Sequence, residues 1–252
     1  SKHMNPFQKF VKMLSDIFVP IIPAIVAGGL LMGLNNIFTA KDLFYDGKSI
    51  IDVHSQFSGL ADMINIFANA PFTLLPILIG FSAAKRFGGN PYLGAALGMI
   101  LVHPGLMSAY DFPKALEEGK AIPHWDVFGL HINEVGYQGQ VLPMLVATYI
   151  LATIEKWLRK VIPTVLDNLL TPLLSIFITA FITFLFVGPV TRQLGYWLSD
   201  GLTWLYEFGG AIGGLIFGLL YAPIVITGMH HSFIAVETTL IADATKTGGS
   251  FI

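Results

Sequence analysis

About six stretches of roughly 20 mainly apolar residues succeed one another along this chain, separated by charged turns, and only a bilayer suits such a series. The spans run from Ile17 to Phe38, Leu60 to Ala84, Tyr92 to Tyr110, Tyr137 to Leu158, Leu169 to Val187 and Phe208 to Ile226. Between the last two, Trp197 to Tyr206 is amphipathic and suits the membrane interface. Hydrophobic residues make up 54% of the 252 positions and charged residues 12%, against roughly 25% charged in soluble domains. The expected fold is all-α: a polytopic membrane bundle of about six spans plus an interfacial amphipathic helix. Pro20, Pro23, Pro71, Pro76 and Pro104 fall inside the spans. Each removes a helix hydrogen bond, so kinks are expected wherever neighbours satisfy the freed carbonyls.

Charge orients the series. Lys9 and Lys12 precede the first span, Lys85 and Arg86 follow the second, and Lys156, Arg159 and Lys160 follow the fourth. The intervening loops, Lys41 to Ser58 and Asp111 to Glu134, are longer and mixed or acidic, and carry half of the 16 aspartates and glutamates. The excess of Lys and Arg marks the cytoplasmic side, so the N-terminus and the Lys85 and Lys156 turns are expected there. Gly29 and Gly33, Gly94 and Gly98, and Gly210, Gly214 and Gly218 stand four apart, a spacing that lets helix backbones approach closely. Net charge is −2, which gives no footprint for nucleic acid. With no cysteine there is neither a disulfide nor a thiolate nucleophile in this sequence. Ser1 to Met4 reads as a cloning scar, and no Walker loop is present.

Polar residues inside this apolar frame are the candidates for chemistry. After the glycine-rich sixth span come Thr227, Gly228, His230 and His231, with Glu237 about two helical turns further on. Imidazoles at a span end mark either a polar pathway or an interfacial anchor. Gly136-Tyr137-Gln138-Gly139-Gln140 opens the fourth span with a phenol and two amides, groups that hydrogen-bond hydroxyls in both directions. Either they meet a sugar or they hold a polar helix entry. His103, before Pro104, is expected to satisfy a backbone carbonyl from a buried position, and Asp62 and Asn65 to cap the second span. Arg86 and Asn90 flank Gly88-Gly89, with Lys85-Arg86 read as a positive-inside anchor. Adjacent histidines diverge on a helix, so His230 and His231 make no metal constellation, and neither a metal nor a cofactor is expected. An intramembrane hydrolase lacks a suitable Ser–His or metal pair.

Longer motifs carry a resemblance. Val19-Pro20-Ile21-Ile22-Pro23-Ala24 followed by Gly28-Gly29-Leu30-Leu31-Met32, Phe87-Gly88-Gly89-Asn90-Pro91-Tyr92-Leu93-Gly94-Ala95 and Val135 to Pro143 resemble the membrane (C) domain of sugar-specific enzyme II. This is the glucose superfamily of the bacterial phosphoenolpyruvate-dependent phosphotransferase system. Gly228 to Thr238 and Thr247 to Ile252 favour the sucrose branch, with the trehalose branch as alternative. The resemblance runs from Phe7 onward. It implies group translocation: a disaccharide crosses the bacterial cytoplasmic membrane and is phosphorylated by a phosphocysteine on a partner enzyme IIB domain. The full assembly would be a protein-phosphohistidine–sugar phosphotransferase, and family C domains pair as homodimers in membrane lipid.

By the same resemblance His230 lies in the sugar site, with a proton-accepting role there. His231, Thr227, Gly228, Tyr137, Gln138, Gln140 and Glu237 are its expected neighbours at the sugar. The sequence departs from the family pattern in two respects. It contains neither the B-domain cysteine nor the Gly-Ile-Thr-Glu-Pro motif whose glutamate helps bind sugar. Residues 5 to 252 are therefore expected to be the N-terminal part of the C domain, a scaffold plus the start of the sugar-transport region. The competing expectation is a dimerising scaffold without an intact sugar site.

Overall fold

The computed structural model describes residues 5 to 210. Their helices are α1 (Pro6–Phe18), α2 (Ile22–Thr39), α3 (Ile50–Val53), α4 (Ser58–Thr73), α5 (Leu75–Arg86), α6 (Pro91–Leu101), α7 (Phe112–Glu117), α8 (Leu142–Val161), α9 (Thr164–Ile182) and α10 (Gly188–Gly209). A 3-10 turn, Val19–Ile21, joins α1 to α2, and a π-helical turn, Thr183–Val187, joins α9 to α10. Strands β1 (His124–Val127) and β2 (Leu130–Asn133) form an antiparallel hairpin, a small exception to the all-helical expectation.

Three continuous helical runs among the described residues are long and apolar enough to cross a membrane: Pro6–Thr39, Ser55–Arg86 and Thr164–Leu205. The first two are interrupted near their prolines, by the Val19–Ile21 3-10 turn that contains Pro20 and at Leu74 between Pro71 and Pro76. Two expected spans come out differently. In the third, helix is confined to α6, which has 11 residues. By the axial rise of an α-helix that length covers only about half of the hydrocarbon core. Val102 to Tyr110 then leave the helix as turns. The fourth becomes α8, whose last two turns hold Glu155, Lys156, Arg159 and Lys160. The amphipathic stretch Trp197 to Tyr206 is no separate element, because α10 continues α9 through the π turn. Of the expected sixth span only Phe208 to Gly210 are described, as the end of α10 and the turn after it, and the rest lies outside the described residues.

Close backbone approach organises the centre. On α6, a Cβ at Gly94 would collide with the Gly80 carbonyl of α5, and one at Gly98 would lie 2.5 Å from the Pro76 carbonyl. The reverse collision, a Cβ at Gly80 against the Gly94 carbonyl, also holds. Only glycine allows this contact. Gly88, at φ +84°, closes the turn by sending its own N–H to Lys85 O (3.3 Å) while Gly89 N–H reaches Ala84 O (2.8 Å). Such a left-handed glycine cap satisfies the last carbonyls of α5. Asn90 Oδ1 then accepts from Tyr92 N (2.8 Å) to start α6. Around this pair Ile17, Ile79, Leu97, Leu101, Met144 and Leu151 are fully buried. By contrast, a Cβ at Gly29 or Gly33 on α2 would meet nothing, so that expected stripe makes no packing contact among the described residues.

The expected caps at Asp62 and Asn65 are absent: α4 starts at Ser58, placing both beyond its first turn, and Asn65 Oδ1 accepts from Asn69 Nδ2 (3.1 Å). Helix α9 is polar inside and apolar outside. Thr171, Ser175 and Thr179 are buried, while Leu169, Leu173 and Phe177 stand exposed. That inversion suits lipid as the surrounding medium.

A candidate polar site at the head of helix α8

The segment entering α8 is stitched to the rest of the bundle by its own backbone. Gly136 N–H donates to Met107 O (2.8 Å), Tyr137 N–H to Leu101 O (2.8 Å) and Gly139 N–H to Thr73 O (3.1 Å). The turn at Gly139 has φ +69°. It needs a residue that tolerates the left-handed region. These bonds draw the ends of α4 and α6 and the loop after α6 to one place. Leu101 ends α6 and Thr73 adjoins the start of α5, both remote from the Arg86–Asn90 turn. The axial rise of those helices puts the site about 16–18 Å from that turn.

Three polar side chains of this place are buried. Tyr137 is 2% exposed, and its ring leans on Phe184 at 6.0 Å between centroids. Its hydroxyl rests against Gly188, where any Cβ would overlap it. Gln138 is 6% exposed, and its Oε1 accepts from Ala109 N (2.9 Å). The third is Arg192 of α10, 8% exposed, whose guanidinium carbon lies 4.5 Å from the Phe112 ring centre and 4.6 Å from that of Tyr137. One of its nitrogens reaches Gly136 O at 3.5 Å. Among the described residues no carboxylate lies within ion-pairing distance of Arg192. Two aromatic faces therefore hold a desolvated cation, an interaction worth about 2 kcal/mol or more. An arginine carries five N–H donors in a rigid fork, which suits oxygen-rich ligands.

Of the residues expected from sequence, Tyr137 and Gln138 meet here and Gln140 stands half-buried beside them. Gln138 also serves the loop, through its bond to Ala109. Thr227, Gly228, His230, His231 and Glu237 lie outside the described residues. Arg192 escapes the search for polar candidates by falling between a span and the amphipathic stretch. A usable signal was present, because Arg192 is the one charged residue between Asp167 and Asp200, and ionisable residues in apolar runs mark function.

A second polar cluster sits at the charged turns. Glu155 is buried; it accepts from Asn90 N–H (2.9 Å) and from Arg159 Nη2 (2.6 Å). Arg86 pairs with Asp16 (2.9 Å), which Lys12 also approaches (3.5 Å). Arg86 is thus more than a charge on the surface: it ties α5 to α1. His103 departs from expectation, being exposed and accepting Gly105 N–H at Nδ1 (2.9 Å), with no carbonyl as partner among the described residues.

Comparison with known proteins places this arrangement. The family model described as "Phosphotransferase system, EIIC" matches residues 15–251. The chain is 85% identical over all 252 residues to the sucrose-specific EIIBC component of Staphylococcus xylosus and 62% to that of Vibrio alginolyticus. It is 50% identical over 251 residues to the trehalose-specific EIIBC component of Bacillus subtilis (strain 168). The chain spans about half the length of these relatives, 52%, 52% and 53% respectively. No solved structure matches it. An apolar helical bundle with a buried polar centre, matched by one family model over nearly its whole length, makes this chain a multi-pass membrane protein of the phosphotransferase system EIIC family.

Proposed function

We propose that this chain is the N-terminal part of an EIIC domain that carries sucrose across the bacterial cytoplasmic membrane. A partner EIIB domain phosphorylates the sugar as it arrives. The observation that carries the reading is the buried Arg192–Tyr137–Gln138 cluster, about 16–18 Å from the charged turns and thus near mid-depth of a core about 30 Å thick. Transport sites favour that depth, beside interrupted helices. Both the break at Leu74 and the early end of α6 adjoin the cluster. The choice of sucrose draws on the names of the 85% and 62% identical relatives, and trehalose on that of the 50% identical one. EIIB as partner likewise rests on their being EIIBC fusions.

On this reading His230, with Thr227, Gly228, His231 and Glu237 nearby, meets the sugar from the sixth span, and its imidazole accepts the proton of the sugar hydroxyl that attacks phosphorus while the P–S bond breaks and the EIIB cysteine leaves as thiolate. Tyr137, Gln138 and Gln140 line the same passage, and Arg192 supplies donors to sugar oxygens. The turns at Lys85 and Lys156 face the cytoplasm, and two copies pair in the membrane. The test is uptake of labelled sucrose and trehalose by cells making the intact protein and its phosphoryl donors. Sucrose phosphate should accumulate in preference to trehalose phosphate. Preference for trehalose would move the chain to the other branch, and transport of neither would leave it a scaffold.

A further inference from the structure

The hairpin of β1 and β2 is two-faced, and its register decides which residues share a face. Trp125 pairs with Ile132 and Val127 with Leu130, making one apolar side. That side touches the bundle at its Trp125–Ile132 pair: Ile132 is 4% exposed, and the Trp125 ring stands edge-on to Phe184 at 5.5 Å, while Leu130 stays exposed. The opposite side carries the other two pairs, His124 with Asn133 and Asp126 with His131. The two strands close through Phe128 and Gly129, whose φ angles are both positive, 49° and 79°. A tight turn of this kind fixes the register against slipping. A slip of one residue would turn the polar set toward the bundle.

We propose that His124, Asp126 and His131 form a binding site for a divalent late transition ion of the Zn2+ type. One ligand atom from each of the three lies within 4.8 Å of the others. His124 Nε2 is 3.4 Å from one Asp126 oxygen, and His131 Nδ1 is 3.9 Å from the other. Tetrahedral zinc with bonds of about 2.0–2.1 Å needs its ligand atoms about 3.3 Å apart. The His124 and His131 rings are stacked, with centroids 4.1 Å apart and 29° between their planes, so one ring turns out of the stack to direct both lone pairs at the ion. A second observation concerns the tautomer. His124 Nδ1 lies 3.4 Å from Ile122 O, a carbonyl that can only accept. Placing the ring proton on Nδ1 leaves the Nε2 lone pair toward Asp126. An outer partner of this kind is how metal-ligating imidazoles are oriented. Two imidazoles and one carboxylate select a zinc-like ion over magnesium or calcium, which prefer all-oxygen shells. The rim is exposed, leaving the fourth position to water.

The site would tie β1 to β2 just ahead of Tyr137, so the ion orders the segment that leads into the polar site. The experiment uses the intact protein in detergent micelles, titrated with Zn2+ alone and with Co2+ as the visible-spectrum reporter. One Zn2+ per chain is expected at the hairpin. His124→Ala, His131→Ala and Asp126→Asn should each weaken it by at least about tenfold, a ligand counting for no less than an outer-shell partner. His54→Ala, in a different loop, should leave it unchanged. Zn2+ should also slow amide exchange from Trp125 to Ile132, a change that the His124→Ala/His131→Ala double variant abolishes. Retention of full Zn2+ affinity by that folded double variant, or no Zn2+ effect on exchange in the parent protein, would overturn the proposal.

Discussion

Arg192 is a cation in an apolar interior, and its surroundings explain why it stays there. The faces of Phe112 and Tyr137 and the carbonyl of Gly136 replace its water, while no described carboxylate neutralises it. Hydrogen bonds to charged groups contribute about 1.5–3 kcal/mol. Arg192→Met should therefore weaken sucrose binding by roughly 10- to 150-fold, with the protein still folded by near-ultraviolet circular dichroism. Arg192→Lys should recover little, because an ammonium can neither fork nor stack flat between two rings. Recovery of wild-type affinity by the lysine variant would show that charge alone suffices. For His230, a neutral hydrogen bond of about 0.5–1.5 kcal/mol predicts roughly twofold to tenfold weaker sucrose binding in His230→Ala, and a smaller effect in His231→Ala. Binding assays on equal amounts of folded protein decide between the sugar role and an interfacial anchor.

At the scale of elements, α5 and α6 depend on bare backbone. Gly94→Val places a side chain into the Gly80 carbonyl. Overpacking of about 1–3 kcal/mol or more is expected. Melting temperature in detergent should fall clearly for Gly94→Val and scarcely for Gly29→Ala, whose Cβ meets nothing. Equal shifts would contradict the α5–α6 geometry. Short helix α3 offers a pH-dependent counterpart. Ser49 N–H donates to Asp52 Oδ2 (3.0 Å), and Asp52 N–H returns to Ser49 Oγ (3.2 Å). The bonds from Ser49, backbone first, hold the Asp52 carboxyl below its ordinary value of 3.8. Because the folded value is the lower one, this stabilisation is fully present above about 3.8 and fades as pH falls through the folded value. The protection of the Asp52 and Val53 amides, taken relative to their intrinsic exchange, should fall at acid pH, and Asp52→Asn should flatten that dependence.

Across the whole molecule the basic turns gather at one end, away from the loops Lys41 to Ser58 and Asp111 to Glu134. Lys12, Asp16 and Arg86 interact, and Asn90, Glu155 and Arg159 interact, so the basic turns of three separate segments share a rim. The positive-inside rule would place that rim in the cytoplasm. Since the chain has no cysteine, single replacements report cleanly. An impermeant thiol reagent should label Lys120→Cys in intact cells and should reach Lys85→Cys only after lysis. The opposite pattern would invert the topology. Ser49 is a poor reporter despite its place in an expected outer loop, being 3% exposed. The unpacked Gly29 and Gly33 and the apolar outer faces of α2 and α9 leave room for lipid or a second copy. Light scattering in mild detergent should give the mass of two chains after micelle correction, and a monomer at every concentration would refute pairing.

Membrane character and the family itself were readable from sequence, because each is local: apolar length and a run of motif residues. Gly94 and Gly98 announced a close approach by their spacing, yet Gly29 and Gly33 have the same spacing and touch nothing described. Spacing states what a backbone permits, and the neighbour decides whether it happens. The end of α6 at Leu101 was hidden because Val102 to Tyr110 prolong the apolar run. Pro104 alone does not decide it, since Pro71 and Pro172 sit inside helices that continue. What lets the chain leave the helix is the Val135 to Tyr137 segment, distant in sequence, which brings donors to Leu101 O and Met107 O. The same reason conceals the burial of Arg192, whose aromatic partners Phe112 and Tyr137 come from other segments. The facing of His131 on Asp126 requires a strand register. Local chemistry chose the solvent and the elements, and only the folded chain could bring distant hydrogen-bond partners together in an interior without water.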